Sequence, residues 1–592
     1  MTTAEHPLPA QQNAGAARKA EGFATPKQDK KPQCARMLPK RVLPIIFLPG
    51  IMGSNLRMST ERQKELKQKD NIAWRPDTLD PSNPSNITGA ANESPANRQL
   101  RLDPLQTTVD IYDSSGLRDV VGDGRHGNVE LAPNFDSALL ASDPIALSGG
   151  GTAVQKARAR GWGEVFFKSY GQLLQHLESR LNTTFSEGKL RPEWHDVVGV
   201  DPKIWGADPK LPQQVLTEEE LKKLATGCWF AVYAFGYNWL QSNGDSAKII
   251  AARINKVIDD FSRSGYECNQ VIVVTHSMGG LVGRALIHPK FGNLQEKVLG
   301  IVHGVMPAIG APAAYRRMRA GFEDPGMLSV NKANIEASVA AKVAGNYGDE
   351  VTAVLANAPG GLQLLPSEAY GNGWLRVRHN GHDLETWPKN GDPYNEIYKL
   401  KGKWYALFRE DWINPSGRSR RQGGGTFERT CQYLDGAQGF HRMITETYHP
   451  NSYAHYGADS KRHSFGEVVW EIMNCTAATG WQNWPILGDN KQGQLRLVDW
   501  DPGAANNIAS LLAEDVIPAP VFARILPASS PGDQTVPAKS ADHQLHSGSF
   551  KGIFRQTGYE HQSSYKDPRA VAATLYSIIR IAQNANWKNE KK

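Results

Sequence analysis

The apolar residues of the chain form two alternating kinds of pattern. Near-continuous apolar runs predict strands buried on both faces, and apolar residues spaced three or four positions apart predict amphipathic helices. Strand and helix patterns alternate between residues 42 and 315, which predicts a parallel sheet with helices on both faces. The predicted strands are 42–48, 229–235, 271–274 and 298–302, and the predicted helices are 162–181, 245–265 and 281–287.

The alternation stops near residue 316 and resumes near 521. Strands are predicted over 522–526 and 550–554, and Asp567 and Pro568 mark the start of a last helix. The segment 316–520 is rich in aromatic residues, Gly and Pro, and it holds eight of the 15 tryptophans. We interpret this segment as a cap inserted into a core formed by 41–315 and 521–592, with insertion loops at about 60–160.

Composition narrows the class of protein. Residues 1–40 lack an apolar signal-peptide core, so we expect a disordered leader on a protein made in the cytoplasm. A net charge of +7 over 592 residues is too small to indicate a nucleic-acid-binding protein, and no nucleic-acid-binding motif is present. The five cysteines are scattered, and no metal-ligand spacing is present, so we expect no zinc site, no metal in the active site and no cofactor. A structural ion elsewhere stays open at the sequence level.

A serine lies between a buried strand and a helix, within Val-Val-Thr-His-Ser-Met-Gly-Gly-Leu at 273–281. This position predicts a nucleophile elbow, a sharp turn that lifts the hydroxyl of Ser277 above the sheet. The positions two before and two after the serine must be small. Gly279 satisfies this requirement, whereas Thr275 replaces the usual first glycine.

The turn after the first strand, Leu-Pro-Gly-Ile-Met-Gly-Ser at 48–54, predicts an oxyanion hole. Glycines there allow backbone N–H groups to approach a developing oxyanion, which is worth about 3–4 kcal/mol per donor. We expect the backbone amides of Ile51 and Met278 to be these donors. Taken alone, Pro-Gly-x-x-Gly indicates only a turn.

Two late segments supply the other candidate catalytic groups. Asp533 lies in Ser-Pro-Gly-Asp-Gln-Thr-Val-Pro, and His561 lies in Gly-Tyr-Glu-His just before the last helix. The chain order Ser277, Asp533, His561 is that of the α/β hydrolases. His561 would accept the serine proton, and Asp533 would orient the imidazole. Competing acids and histidines are Asp499, Asp501, His543 and His546.

Together these motifs resemble the α/β-hydrolase lipases of the lecithin:cholesterol acyltransferase-like and PGAP1-like group. The resemblance covers roughly 42–60, 160–315 and 520–592, and three further motifs carry it: Tyr237-Asn238-Trp239, Gly310-Ala311-Pro312 and Leu364-Leu365-Pro366-Ser367. Within that group, the segments 448–451 and 455–457 resemble bacterial type VI secretion lipase effectors of the Tle4 group.

The resemblance implies an α/β-hydrolase fold and a phospholipase A that cleaves glycerophospholipid acyl esters through an acyl-enzyme on Ser277. It also implies an antibacterial effector that type VI secretion exports to the periplasm or membrane of a rival cell, where a cognate immunity protein neutralises it. Two alternatives stay open at the sequence level. One is an acyltransferase or neutral-lipid esterase with the same triad, and the other is a membrane-perturbing or binding protein without turnover.

Overall fold

The structure is a computed structural model, and it describes most of residues 40–587 together with three short strands before them. The described part excludes 79–91, 113–128, several positions between 134 and 149, 187, 324–342, 418–424, 476–477 and 500–520. The competing acid Asp501 therefore lies outside the described residues.

Strands and helices alternate one for one between residues 218 and 320. In chain order, the strands are β1 (Ala10–Gln12), β2 (Arg18–Gly22), β3 (Gln33–Met37), β4 (Ile45–Leu48), β5 (Leu56–Met58), β6 (Ile72–Trp74), β7 (Thr107–Val109), β8 (Phe185–Ser186), β9 (Lys189–Leu190), β10 (Val232–Ala234), β11 (Val271–His276), β12 (Val298–Gly304), β13 (Leu375–His379), β14 (His382–Trp387), β15 (Ser452–Gly457), β16 (Asp459–Ser464), β17 (Val468–Met473), β18 (Ile486–Asp489), β19 (Gln494–Leu497), β20 (Val521–Ile525), β21 (Ser530–Gly532) and β22 (Phe550–Gln556). The α-helices are α1 (Thr60–Glu65), α2 (Pro95–Arg101), α3 (Ala153–Ala159), α4 (Phe167–Asn182), α5 (Glu218–Gly227), α6 (Asn243–Arg263), α7 (Gly279–Ile287), α8 (Pro312–Ala320), α9 (Gly348–Leu355), α10 (Pro359–Leu362), α11 (Glu410–Ile413), α12 (Phe427–Ile444), α13 (Ala538–His546) and α14 (Pro568–Ala582).

A six-stranded parallel sheet forms the centre of the molecule, in the order β10-β4-β11-β12-β15-β22. Alternate residues of its strands enter two different apolar clusters. Ile46 and Val273 pack on the face covered by α6 and α7, whereas Phe47 and Val274 pack on the face covered by α4 and α14. The sheet is thus buried on both faces, as near-continuous apolar strands require. The predicted α/β-hydrolase fold is confirmed.

A second six-stranded sheet has the order β14-β13-β17-β20-β19-β18, in which only β13 and β17 pair in parallel. Two strands depart from the predicted boundary of the cap. β15 lies within 316–520 but belongs to the central sheet, whereas β20 was expected in the core but pairs with β17 and β19. Long-range pairing, which local pattern does not encode, decides which sheet a strand joins.

The inserted segment and the core share apolar packing. The described tryptophans of that segment are all buried, with exposures of 9% or less. Most of them belong to the same apolar cluster as Ile46 and Val273: Trp374, Trp387, Trp404, Trp470, Trp481 and Trp484. In this conformation these tryptophans are core residues and form no lipid-facing surface.

Three short strands, β1, β2 and β3, pair antiparallel within the predicted leader. Most other leader residues lie outside the described part, so the predicted disorder stays a prediction. Among the described helices, none combines the length and the apolar character needed to cross a bilayer.

Candidate active site

Ser277 lies in the sharp turn between β11 and α7. Its φ is +54°, in the left-handed region that residues other than glycine rarely adopt. The N–H of Ser277 donates to the carbonyl of Gly304 on the neighbouring strand at 2.8 Å, which holds the turn in place. The structure therefore has the strand–turn–helix geometry of a nucleophile elbow.

Close packing around the elbow requires small residues. A Cβ on Gly279 would lie 2.5 Å from the carbonyl oxygens of Leu48 and Pro49, so α7 can approach the turn after β4 only with glycine there. Thr275, which replaces the usual glycine, packs its methyl group toward Gly283, where a Cβ would lie 3.2 Å away. Gly283 lies one turn after Gly279 on α7, and because it has no side chain it leaves room for Thr275.

The structure brings Ser277, Asp533 and His561 together, although they are far apart in the chain. His561 Nε2 lies 2.8 Å from Ser277 Oγ, and His561 Nδ1 lies 2.8 Å from Asp533 Oδ2. The exposed fractions of the three residues are 5%, 1% and 6% in chain order. This is the geometry of a nucleophile, a base and an orienting carboxylate.

The loop around Asp533 holds the carboxylate through its own backbone. Asp533 Oδ1 accepts hydrogen bonds from the N–H groups of Thr535 at 3.1 Å and Val536 at 2.7 Å. The N–H of His561 donates to the carbonyl of Asp533 at 2.9 Å, so the two loops are also joined through the main chain. Of the described rivals, His543 contacts the Tyr448 hydroxyl at 3.2 Å, and Asp499 and His546 are exposed.

The turn after β4 lies directly against the serine, because a Cβ on Gly50 would be 3.0 Å from Ser277 Cβ. The Gly50 N–H donates to the hydroxyl of Tyr170 at 3.3 Å, so it is not available to an oxyanion. In the described part of the chain, the N–H groups of Ile51 and Met278 donate to no other atom. Met278 also precedes the N-terminus of α7, where the helix dipole favours negative charge.

Tyr170 and His276 form a hydrogen-bonded bridge next to the catalytic residues. Sequence reasoning did not predict this bridge. The Tyr170 hydroxyl lies 3.0 Å from His276 Nδ1, and His276 Nε2 lies 3.1 Å from the carbonyl of His561. Gln562 Nε2 also reaches the Tyr170 hydroxyl, at 3.3 Å. The one available sequence signal was a histidine next to the candidate nucleophile.

Burial keeps this bridge neutral. Burial lowers the pKa of His276 well below its usual value, and the neighbouring His561 and His455 rings lower it further. Burial also raises the pKa of Tyr170 to about 12. At neutral pH both groups are therefore uncharged hydrogen-bonding partners.

Strained backbone occurs in the loops that form the site. Four residues other than glycine with positive φ lie there: Met52 at +60°, Ser277 at +54°, Val305 at +46° and Gln534 at +72°. A β-branched residue such as Val305 is rarely found in this region. Such strain persists only where surrounding contacts impose it, and it is typical of functional sites.

The described residues contain no group of three His, Cys, Asp or Glu side chains that could hold a metal ion. The site consists of a serine hydroxyl, an imidazole, a carboxylate and two backbone amides.

Comparison with known proteins places the chain in a family. No protein-family model and no curated sequence matches it. It is similar to a chain in a solved structure described as the crystal structure of the Tle4-Tli4 complex, with 30% sequence identity and a TM-score of 0.70. The match covers 92% of this chain and 99% of that chain. The chain belongs to the Tle4 family. Members of this family are type VI lipase effectors, so the predicted lipase class and effector class are confirmed at this level.

Motifs that carried the two sequence resemblances make hydrogen bonds that support the fold. Asn451, just before β15, donates through Nδ2 to the carbonyl of Leu299 at 2.9 Å. The Ala311 N–H donates to the carbonyl of Leu364 at 2.9 Å, which joins two of the other motifs to each other. Tyr237 donates its hydroxyl proton to the carbonyl of Pro49 at 2.8 Å and so supports the turn beside Ser277.

Proposed function

We propose that the chain is a serine phospholipase A that cleaves a glycerophospholipid acyl ester through an acyl-enzyme on Ser277. The observation that carries this proposal is the pair of 2.8 Å hydrogen bonds from His561 to Ser277 and to Asp533. Membership of the Tle4 family supports a lipid ester as the substrate class. The motifs that resemble those of lecithin:cholesterol acyltransferase-like lipases agree with it.

The first half of the reaction forms the acyl-enzyme. Nδ1–H of His561 donates to Asp533, which leaves Nε2 free to accept the Ser277 proton. As Oγ bonds to the ester carbonyl carbon, the carbonyl oxygen becomes an oxyanion facing the amides of Ile51 and Met278. Asp533 stabilises the imidazolium that forms.

The second half releases both products. The imidazolium returns its proton to the glycerol oxygen as the ester C–O bond breaks, and the lysophospholipid leaves. A water molecule then loses a proton to His561 Nε2 and attacks the acyl carbon. The fatty acid leaves, and Ser277 regains its proton.

Access to the serine is part of the proposal, because Ser277 is only 5% exposed. A lipid acyl chain needs more room than this exposure provides. We therefore propose that part of the segment 316–520 acts as a cap that moves when the protein binds a membrane. Faster hydrolysis of vesicles than of the same lipid kept monomeric supports this idea, and equal rates would remove it.

The family also supports a partner and a route. The similar solved structure is of a Tle4-Tli4 complex, and we propose that this chain has a cognate immunity protein of its own. We propose further that type VI secretion delivers the chain to the periplasm or membrane of a target cell. An immunity protein from the same genetic locus should abolish fatty-acid release at equimolar concentration, and undiminished release would refute that pairing.

The decisive experiment measures fatty-acid release from vesicles labelled at sn-1 or at sn-2, with the wild type and Ser277→Ala. We expect the variant to lose at least about 10⁴-fold in rate. Both proteins should show the same circular dichroism spectrum and melting temperature. The labelled position then identifies the bond that is cut.

Two additions separate the alternatives. Transfer of the label to an added alcohol would indicate an acyltransferase, and release only from neutral esters would indicate a neutral-lipid esterase. Dye leakage from vesicles that Ser277→Ala causes as fast as the wild type would favour a membrane-perturbing protein without turnover.

A further inference from the structure

One buried phenol contacts three segments of the proposed active site. Tyr170 lies on α4 and is 1% exposed. Its hydroxyl is 3.3 Å from the Gly50 N–H in the oxyanion turn, 3.0 Å from His276 beside the nucleophile, and 3.3 Å from Gln562 beside the base. These segments come from distant parts of the chain and meet at this oxygen.

The hydrogen bonds leave one consistent arrangement of protons. Gly50 N–H and the Gln562 amide can only donate to the Tyr170 oxygen, so the phenol proton points to His276 Nδ1. His276 is then protonated at Nε2, and this N–H donates to the carbonyl of His561 at 3.1 Å. Every group in the bridge has a partner of the right kind.

We propose that Tyr170 and His276 are positioning residues that fix the oxyanion turn relative to the loop of the catalytic histidine. This inference rests on the proposed hydrolase function. The bridge occupies the Gly50 N–H, which leaves the next amide, that of Ile51, for the substrate. At its other end it holds the His561 main chain, whose ring must stay within hydrogen-bonding distance of Ser277.

Rate depends steeply on such placement, since an error of about 1 Å in a reacting group can cost about 10²-fold. Tyr170→Phe keeps the ring and its packing against Phe47 and His276, but it removes the shared oxygen. We expect kcat to fall about 10- to 100-fold while KM changes less than about threefold.

His276 tests the other end of the bridge independently. Gln at this position keeps an amide donor for the His561 carbonyl, whereas Leu keeps none. We expect His276→Gln to retain at least about tenfold more activity than His276→Leu. This comparison decides the matter even if Tyr170→Phe does not fold.

Tyr576→Phe is the matched control. Tyr576 is also 1% exposed and lies on a helix, and its hydroxyl donates to the carbonyl of Gln214 at 2.7 Å, away from the triad. The control should lower the melting temperature by an amount similar to Tyr170→Phe, with kcat unchanged.

The experiment measures kcat and KM on phospholipid vesicles, the melting temperature and the rate of inactivation by a fluorophosphonate, which reports Ser277 reactivity without a lipid. The proposal predicts that inactivation slows in parallel with kcat in Tyr170→Phe. Wild-type rates in Tyr170→Phe, or equal activity in His276→Gln and His276→Leu, would overturn it. If the wild type resists the fluorophosphonate and releases no fatty acid, the hydrolase function itself is wrong.

Discussion

At the residue scale, Gly279 decides how closely the elbow approaches the oxyanion turn. In Gly279→Ala the added Cβ would lie 2.5 Å from two backbone carbonyls, those of Leu48 and Pro49, which cannot rotate away as a side chain would. We expect the free energy of unfolding to fall by about 1–3 kcal/mol. We also expect kcat to fall about 10²-fold, because the Ile51 amide moves away from the serine. Urea unfolding and vesicle hydrolysis measure the two effects.

Gly436→Ala on α12 is the control for this substitution. A Cβ there would meet no atom within 4 Å. Alanine should therefore stabilise the helix by about 1 kcal/mol and leave hydrolysis unchanged. If Gly279→Ala behaved like Gly436→Ala, close contact between elbow and turn would not be needed for activity.

Sequence reasoning at this scale found residues whose local context is distinctive. Ser277 follows an apolar run and precedes a helix, and Asp533 and His561 follow it in the order typical of one fold. Tyr170 has no such context, because a tyrosine on the buried face of a helix looks like any core residue. Its partners Gly50, His276 and Gln562 lie 120, 106 and 392 residues away, and only the folded chain brings them together.

At the element scale, Arg284 joins the nucleophile helix to the end of α12. It is 1% exposed, and its guanidinium donates to the carbonyls of Ala308 at 2.7 Å, Thr445 at 3.0 Å and Thr447 at 3.1 Å. Arg284→Met would leave these acceptors buried without donors. We expect the free energy of unfolding to fall by about 3 kcal/mol, as measured by urea titration.

Arg442→Met on α12 is the matched control, because this arginine is 61% exposed and pairs with Glu368 on the surface. Surface ion pairs are worth about 1 kcal/mol or less, so this variant should remain close to the wild type. An equal loss in both variants would contradict a special role for the buried guanidinium.

Prediction of elements succeeded where apolar runs were continuous and failed where polar residues interrupt them. β4 consists only of apolar residues, and β11 is apolar except for Thr275 and His276 at its end. The sequence predicted both strands. β15 reads Ser-Tyr-Ala-His-Tyr-Gly, and its polar residues are buried because they lie between two other strands of the sheet. Neither periodicity nor composition predicts such a strand.

At the scale of the whole molecule, the inserted segment is not an independent unit. β15 of this segment belongs to the central sheet, and most of the segment's described tryptophans share one apolar cluster with the core strands. The boundaries predicted from composition therefore describe where the pattern changes along the chain, and do not separate two folding units. Motion of a cap must then involve only part of 316–520.

The molecule also buries several histidines, which makes its stability depend on pH. Burial lowers the pKa most strongly in four of them: His276 well below its usual value, His303 to about 3, and His441 and His455 each to about 4. Well above pH 6.5, neither the folded nor the unfolded state binds these protons. As the pH falls through 6.5, these histidines bind protons in the unfolded state but stay neutral in the folded state. The free energy of unfolding therefore falls.

Between pH 7.5 and 5.5 each such histidine should remove about 1.4 kcal/mol of stability, or about 5 kcal/mol for the four. Burial raises the pKa of Asp77 to about 6, so this carboxyl binds a proton in the folded state first and partly offsets the loss of stability.

His455→Leu isolates one contribution, because neither ring nitrogen of His455 has a hydrogen-bond partner in the described part of the chain. Urea unfolding of this variant should show a loss between the two pH values about 1.4 kcal/mol smaller than that of the wild type. His382→Leu, at an exposed position of β14, should show the full wild-type loss, and an equal loss in both variants would mean that burial of His455 does not drive the pH dependence.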